Sequence, residues 1–137
     1  MPEKKDIEDG LVFSPKFNEQ GLITVVVVDA ASNKVLMVAN MNAEALRATL
    51  ASGKGTYYSR SRGKLWVKGE QSGHDQKVLE MLVDCDQDCL VLKVEAQGGQ
   101  CHVGYRSCFY RRVKGGPSDQ LEFVAQRVFD PGKVYGK

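Results

Sequence analysis

A chain of 137 residues is long enough for one domain, residues 1–137, that buries roughly 68% of its unfolded surface around a single core. Its 42% apolar and 26% charged residues are those of a soluble globular protein and exclude fibrous and disordered classes. A net charge of +2 is too small to mark a dedicated nucleic-acid binder. No apolar stretch approaches the ~20 residues needed to span a bilayer, and MPEKKDIEDG lacks the apolar core of a signal peptide. A cytoplasmic location with no membrane partner is the expectation.

Taken in chain order, the β-branched run from Leu22 to Val28 predicts a strand. A turn-rich DAASNK and a second strand in KVLMVA complete a hairpin. MNAEALRATLASGKG predicts a helix: Asn42 caps it, Glu44 suits the positive end of the dipole, and Gly53 stops it. Leu46 and Leu50 at i, i+4 form its expected buried stripe.

Alternation then returns in TYYSRSR and KLWVK around a turn at Gly63. QKVLEMLVDCD fits helix or strand, CLVLKVEA fits a strand, GGQCHVG a loop and RSCFYRRV a strand. A loop through GGPSD and an apolar LEFVAQRVF, strand or short helix, complete the chain. The fold class expected is α+β, rich in β, with one or two helices.

Three constellations carry chemistry. In DCDQDC the carboxylates of Asp84, Asp86 and Asp88 recur at i, i+2, i+4, which on an extended strand directs all three to one face. Such a face repels itself unless a hard cation neutralises it, and oxygen ligands favour magnesium. An EF-hand calcium loop competes, since Glu95 falls at its twelfth position, but Cys89 replaces the turn glycine and LVLKV reads as strand. A solvated acidic turn is the plainer alternative.

All four cysteines, Cys85, Cys89, Cys101 and Cys108, fall within one 24-residue window. In a reducing compartment that clustering points to metal or catalysis before disulfides. Three thiolates and a water would satisfy a catalytic zinc site, although the spacing is not that of a CxxC knuckle, and buried inert thiols are the alternative. His102 directly follows Cys101 and is a candidate proton carrier, with Glu70 and His74 as further catalytic candidates.

SRSRGKLWVKGEQSGH gathers Arg60, Arg62, Lys64 and Lys68 beside Trp66 and Ser72. Arginines at i, i+2 share a strand face and bind phosphate through charge-assisted forks. A solvated basic strand edge explains the same residues without a ligand.

In order and spacing, MNAEAL, YYSRSRGKLWVKGEQSGH, DCDQDC and CHVGYRSCFYRR closely resemble the phosphoribosyl-AMP cyclohydrolases of histidine biosynthesis. The motif region runs from residue 21 to 112, leaving 113–137 as a C-terminal extension. The resemblance implies a β-rich pseudobarrel capped by helices and intertwined as a homodimer. It implies hydrolytic opening of the adenine ring of 1-(5-phosphoribosyl)-AMP by zinc-activated water. Zinc would sit on Cys85, Cys101 and Cys108 at a site shared between subunits, and magnesium on Asp84, Asp86 and Asp88, with Cys89 left over as a small buried thiol. Arg60, Arg62, Trp66, Lys68 and Ser72 would bind the nucleotide. The chain lacks the HxE and PCxxC signature of zinc deaminases, which expel the amine instead. A zinc-stapled module for single-stranded nucleic acid is the rival; it leaves the aspartates unexplained, because they would repel phosphates.

Overall fold

The computed structural model describes residues 3–70, 72–115 and 119–135. After a short α1 (Lys4–Asp9) and an extended arm, β1 (Ile23–Asp29) and β2 (Val35–Met41) form the expected antiparallel hairpin, with an irregularity between Val27 and Val28. α2 (Ala43–Ser52) follows. Asn42 Oδ1 accepts from the Ala45 N–H at 2.8 Å, and Gly53 ends the helix with a left-handed φ of 74°. That conformation suits glycine because it has no Cβ to clash. The buried face of α2 is Ala45, Leu46 and Thr49. Leu50, expected in the stripe, is 58% exposed; the core lies one position further round the helix.

β3 (Thr56–Ser59) and β4 (Lys64–Val67) make a second hairpin. Its tip corrects one expectation: residues 60–63 form the turn, with Gly63 at φ 63°. Arg60 and Arg62 therefore project from a turn, where the period-two rule does not apply. The ambiguous QKVLEMLV is a strand, β5 (Gln76–Val83), followed by β6 (Cys89–Ala96). The main sheet has the order β2-β1-β6-β5, with β1 and β6 parallel and the other pairs antiparallel.

Val25, Val27, Leu36, Met41, Leu90, Leu92 and Val94, all fully buried, form the sheet's share of the core, with Leu46 of α2 and Tyr57 of β3 packed on them. Each such aliphatic side chain contributes about 1.5–3 kcal/mol by leaving water. The extension folds as a small hairpin of β7 (Arg111–Val113) and β8 (Leu121–Phe123), then α3 (Pro131–Tyr135). RSCFYRRV is thus strand only at its end, and LEFVAQRVF only at its start. Residues 116–118 of the expected GGPSD loop lie outside the described residues. Among those described, no helix is long and apolar enough to cross a membrane. The architecture is α+β and strand-rich, with three helices among the described residues, two of them of six residues or fewer.

Candidate active site

Because β1 and β6 run parallel, their C-terminal ends finish together, and the chain leaving β6 crosses that end as residues 97–108. Backbone bonds tie this loop down. The Cys101 N–H donates to the Tyr105 carbonyl at 3.0 Å, Gly104 N–H to the Cys101 carbonyl at 3.0 Å, and Cys108 N–H to the Leu36 carbonyl of β2 at 2.7 Å. Arg106 donates to the carbonyls of Ala96 and Gly98 and reaches Asp29 Oδ1 at 3.4 Å, joining the loop to the end of β1. The Tyr105 and Tyr110 rings stack at 3.7 Å.

The loop walls a cleft of about 410 Å³ whose other side is β2 and the second hairpin. Arg62, Trp66, Lys68, Glu70, Ser72, His102 and Cys108 line it. Six of the residues expected to catalyse or bind substrate, scattered over 41 positions from Arg62 to His102, thus share one concavity with a cysteine. Arg60 opens onto an adjoining recess with Tyr58, Asn40 and the same Trp66, so the two arginines of the hairpin tip flank the indole. Trp66 is held by the Tyr57 ring at a centroid distance of 5.1 Å.

His74 stands apart. Its ring packs on Phe129 at 4.8 Å and beneath Gly98, where a Cβ would come within 2.7 Å of Cδ2, and its Nδ1 is buried without a hydrogen-bond partner. It supports the loop from behind and is absent from the cleft lining.

Cys101 is buried beside Cys108. Burial pushes the Cys108 thiol up to about 11, repulsion from Cys101 adds to this, and Lys68 opposes it. Burial also holds Lys68 below the ordinary lysine value, with Cys108 and Cys101 acting the other way. Two soft sulfur ligands and a cation therefore face one another, a donor set that fits zinc and falls one thiolate short of three.

That third thiolate is not nearby in the same chain. Cys85 lies in the turn between β5 and β6, which joins the opposite end of the sheet, and β6 itself spans roughly 23 Å at ~3.3 Å per residue. DCDQDC is a turn and not the expected extended strand. Gln87 adopts a left-handed φ of 59° and reverses the chain, and this reversal, not alternation, brings the three carboxylates together. Asp84, Asp86 and Asp88 each offer an oxygen within 4.8 Å of the others, the one such metal-capable group among the described residues.

Asp84 accepts from the N–H groups of Asp88 at 3.0 Å and Cys89 at 3.1 Å. Slight burial raises its pKa, but hydrogen bonds from Asp88 and Cys89 outweigh that and hold it below the carboxylate range. Asp88 is raised, first by its sharing with Asp86 and then with Asp84. Cys89 is half-buried on β6, its pKa raised by burial and then by Asp84.

Three glutamines escaped the sequence reading. Gln87 is buried, donating to the Ile7 and Val12 carbonyls and accepting from Ser14 N–H, which fastens the N-terminal arm to the acidic turn. Gln76 and Gln100, both fully buried, join side chain to side chain at 2.8 Å beneath the cleft. No pattern signals a buried glutamine, since the residue type is usually exposed.

The phosphoribosyl-AMP cyclohydrolase family model matches residues 37–110, which include every cleft residue named above. A phosphoribosyl-AMP cyclohydrolase of Rhodopseudomonas palustris (strain BisB5) is 55% identical over 139 residues, covering 99% of this chain and 95% of the relative. Those of Nitrobacter winogradskyi and Bradyrhizobium diazoefficiens are 57% and 54% identical, covering 95% and 96% of this chain and 92% and 96% of their own. With motifs, cleft and full-length relatives in agreement, the chain belongs to the phosphoribosyl-AMP cyclohydrolase family.

Proposed function

We propose that the chain opens the adenine ring of 1-(5-phosphoribosyl)-AMP by hydrolysis, the third step of histidine biosynthesis, at the cleft between the Cys101–Cys108 loop and the second hairpin. The observation that carries this is the convergence there of the Cys108 thiol, backed by Cys101, with an imidazole, a carboxylate, an indole and a guanidinium. Zinc on Cys101, Cys108 and the Cys85 of a second copy supplies, when bound, Lewis-acid activation of water near neutral pH.

The chain's own groups do the rest. Trp66 offers a face on which the purine stacks, and Arg62 and Arg60 on either side take phosphate charge through bidentate hydrogen bonds. Ser72 adds a hydroxyl. His102, exposed at the cleft, accepts the proton of the attacking water and returns it to the ring nitrogen whose bond breaks; Glu70 is the second group able to carry it. Asp84, Asp86 and Asp88 suit magnesium, which on hard-cation grounds would hold a substrate phosphate or hydroxyl.

Since one chain holds its acidic turn and Cys85 at the far end of the sheet, the complete site requires a homodimer in which one subunit's turn faces the other's cleft. The carboxylate triplet favours this reading over the nucleic-acid module, because it has a use only with a metal. An ultraviolet assay with phosphoribosyl-AMP tests the proposal on protein as purified, after chelation, and after restoring zinc and magnesium. Chelation abolishes turnover and the two metals together restore it; metal-replete protein that leaves the nucleotide intact refutes the proposal.

A further inference from the structure

Lys68 is the least expected side chain in the cleft. Arg60 and Arg62, which share its motif, are exposed, but Lys68 is only 8% exposed and its ammonium is directed inward. Nζ donates to the backbone carbonyl of Gln100 at 2.6 Å, and among the described residues it makes no ion pair with a carboxylate. Burying an ammonium without a carboxylate costs several kcal/mol before compensation, so its partners there identify what it is for.

Gln100, the residue immediately before Cys101, has every polar atom committed. Its N–H donates to the Arg106 carbonyl at 3.1 Å, its Nε2 to the carbonyls of Gln97 at 2.8 Å and His74 at 3.2 Å, and its Oε1 accepts from Gln76 Nε2 at 2.8 Å. Gln76 accepts in turn from the Tyr57 hydroxyl of β3 and donates to Met37 Sδ of β2 at 3.2 Å. The network thus runs from β2 and β3 to the segment that carries Cys101 and His102. Lys68 closes it from the cleft side, on the one Gln100 acceptor that the glutamine contacts leave over.

We propose that Lys68 is a positioning residue: through the Gln100 carbonyl it clasps the Gln100–Cys101 peptide, and with it the segment bearing His102, against the second hairpin, and it is not a ligand of the substrate's phosphate. A lysine that binds phosphate aims its ammonium as a point charge at the ligand; here the head is withdrawn and its acceptor is the protein's own Gln100 carbonyl. The inference rests on the proposed role of the Cys101–His102 loop for its kinetic consequence only, since the clasp itself is a matter of loop geometry.

The test is K68M, which keeps the stem and removes the donor. Misplacing the loop by about 1 Å lowers kcat by tenfold or more while KM stays within about threefold. In the full chain treated with chelator, iodoacetamide labels Cys101 at least about fivefold faster than in the parent, while exposed Cys85 reacts at the parental rate. A raised KM with kcat preserved and Cys101 still protected would instead make Lys68 a phosphate ligand and overturn the clasp. If the parent itself has no turnover, the proposed reaction fails, and the labelling rate alone decides, an unchanged rate refuting the clasp. Where K68M does not fold, K68Q, which retains an N–H donor without the charge, takes its place under the same two readings.

Discussion

Asp29 at the end of β1 performs two tasks with one carboxylate. Oδ2 accepts from Ser32 Oγ at 2.6 Å and Ser32 N–H at 3.2 Å, closing the β1–β2 turn, while Oδ1 faces Arg106 of the site loop at 3.4 Å. The Ser32 hydroxyl bond is the main cause of its lowered pKa; burial works against it, and the Ser32 N–H and Arg106 reinforce it. A carboxyl depressed in the fold contributes stability above its unfolded value, near 3.9, and loses it as pH falls through the folded value. D29N therefore costs about 1–3 kcal/mol at neutral pH, and the gap from the parent narrows below about pH 4; urea unfolding at pH 7 and pH 3 measures both. His102 belongs to this scale too, as the one imidazole among the cleft-lining residues described. H102A loses at least about tenfold in kcat with its melting temperature unchanged, read by the ring-opening assay and a thermal scan.

At the scale of elements, sequence patterns were reliable where local chemistry decides the outcome. Asn42 and Gly53 marked both ends of α2 because a side-chain cap and a left-handed glycine are local devices, and N42A costs about 1 kcal/mol, measurable as a lower urea midpoint at unchanged slope. The first hairpin followed in the same way from a β-branched run and a turn-rich stretch, and the second from alternation around Gly63. Where the outcome was tertiary, pattern failed. Leu50 satisfied the helical period yet faces the groove beside the N-terminal arm, and RSCFYRRV read as a strand although Ser107 and Cys108 are held by hydrogen bonds to Val35 and Leu36 in β2. DCDQDC placed three carboxylates on one face for the wrong reason, since only the left-handed Gln87 makes them converge. Most of the candidate site was legible as residue types with a chemistry. Its supports, Gln76, Gln100 and Arg106, were not, because a buried amide network exists only once distant strands have met.

For the whole molecule, the sheet itself separates the two halves of the proposed site. The Cys101–Cys108 loop leaves the C-terminal end of β6, while Cys85 and the aspartates precede its N-terminal end. In the proposed two-fold dimer each turn would meet its partner's cleft with neither moving. This arrangement makes a prediction that a self-contained site does not. C85S and C101S each abolish turnover and each leave the fold intact, since Cys85 is exposed and serine is close in size at Cys101. Mixing the two inactive proteins under conditions of subunit exchange yields heterodimers in which one site draws Cys101 and Cys108 from the C85S chain and Cys85 from the C101S chain. Statistical exchange makes half of the dimers mixed, each with one intact site of two, so activity returns to about a quarter of the parent's. A mixture that exchanges subunits, as mass spectrometry of labelled chains would reveal, yet stays inactive confines the site to a single chain and removes the reason for the dimer.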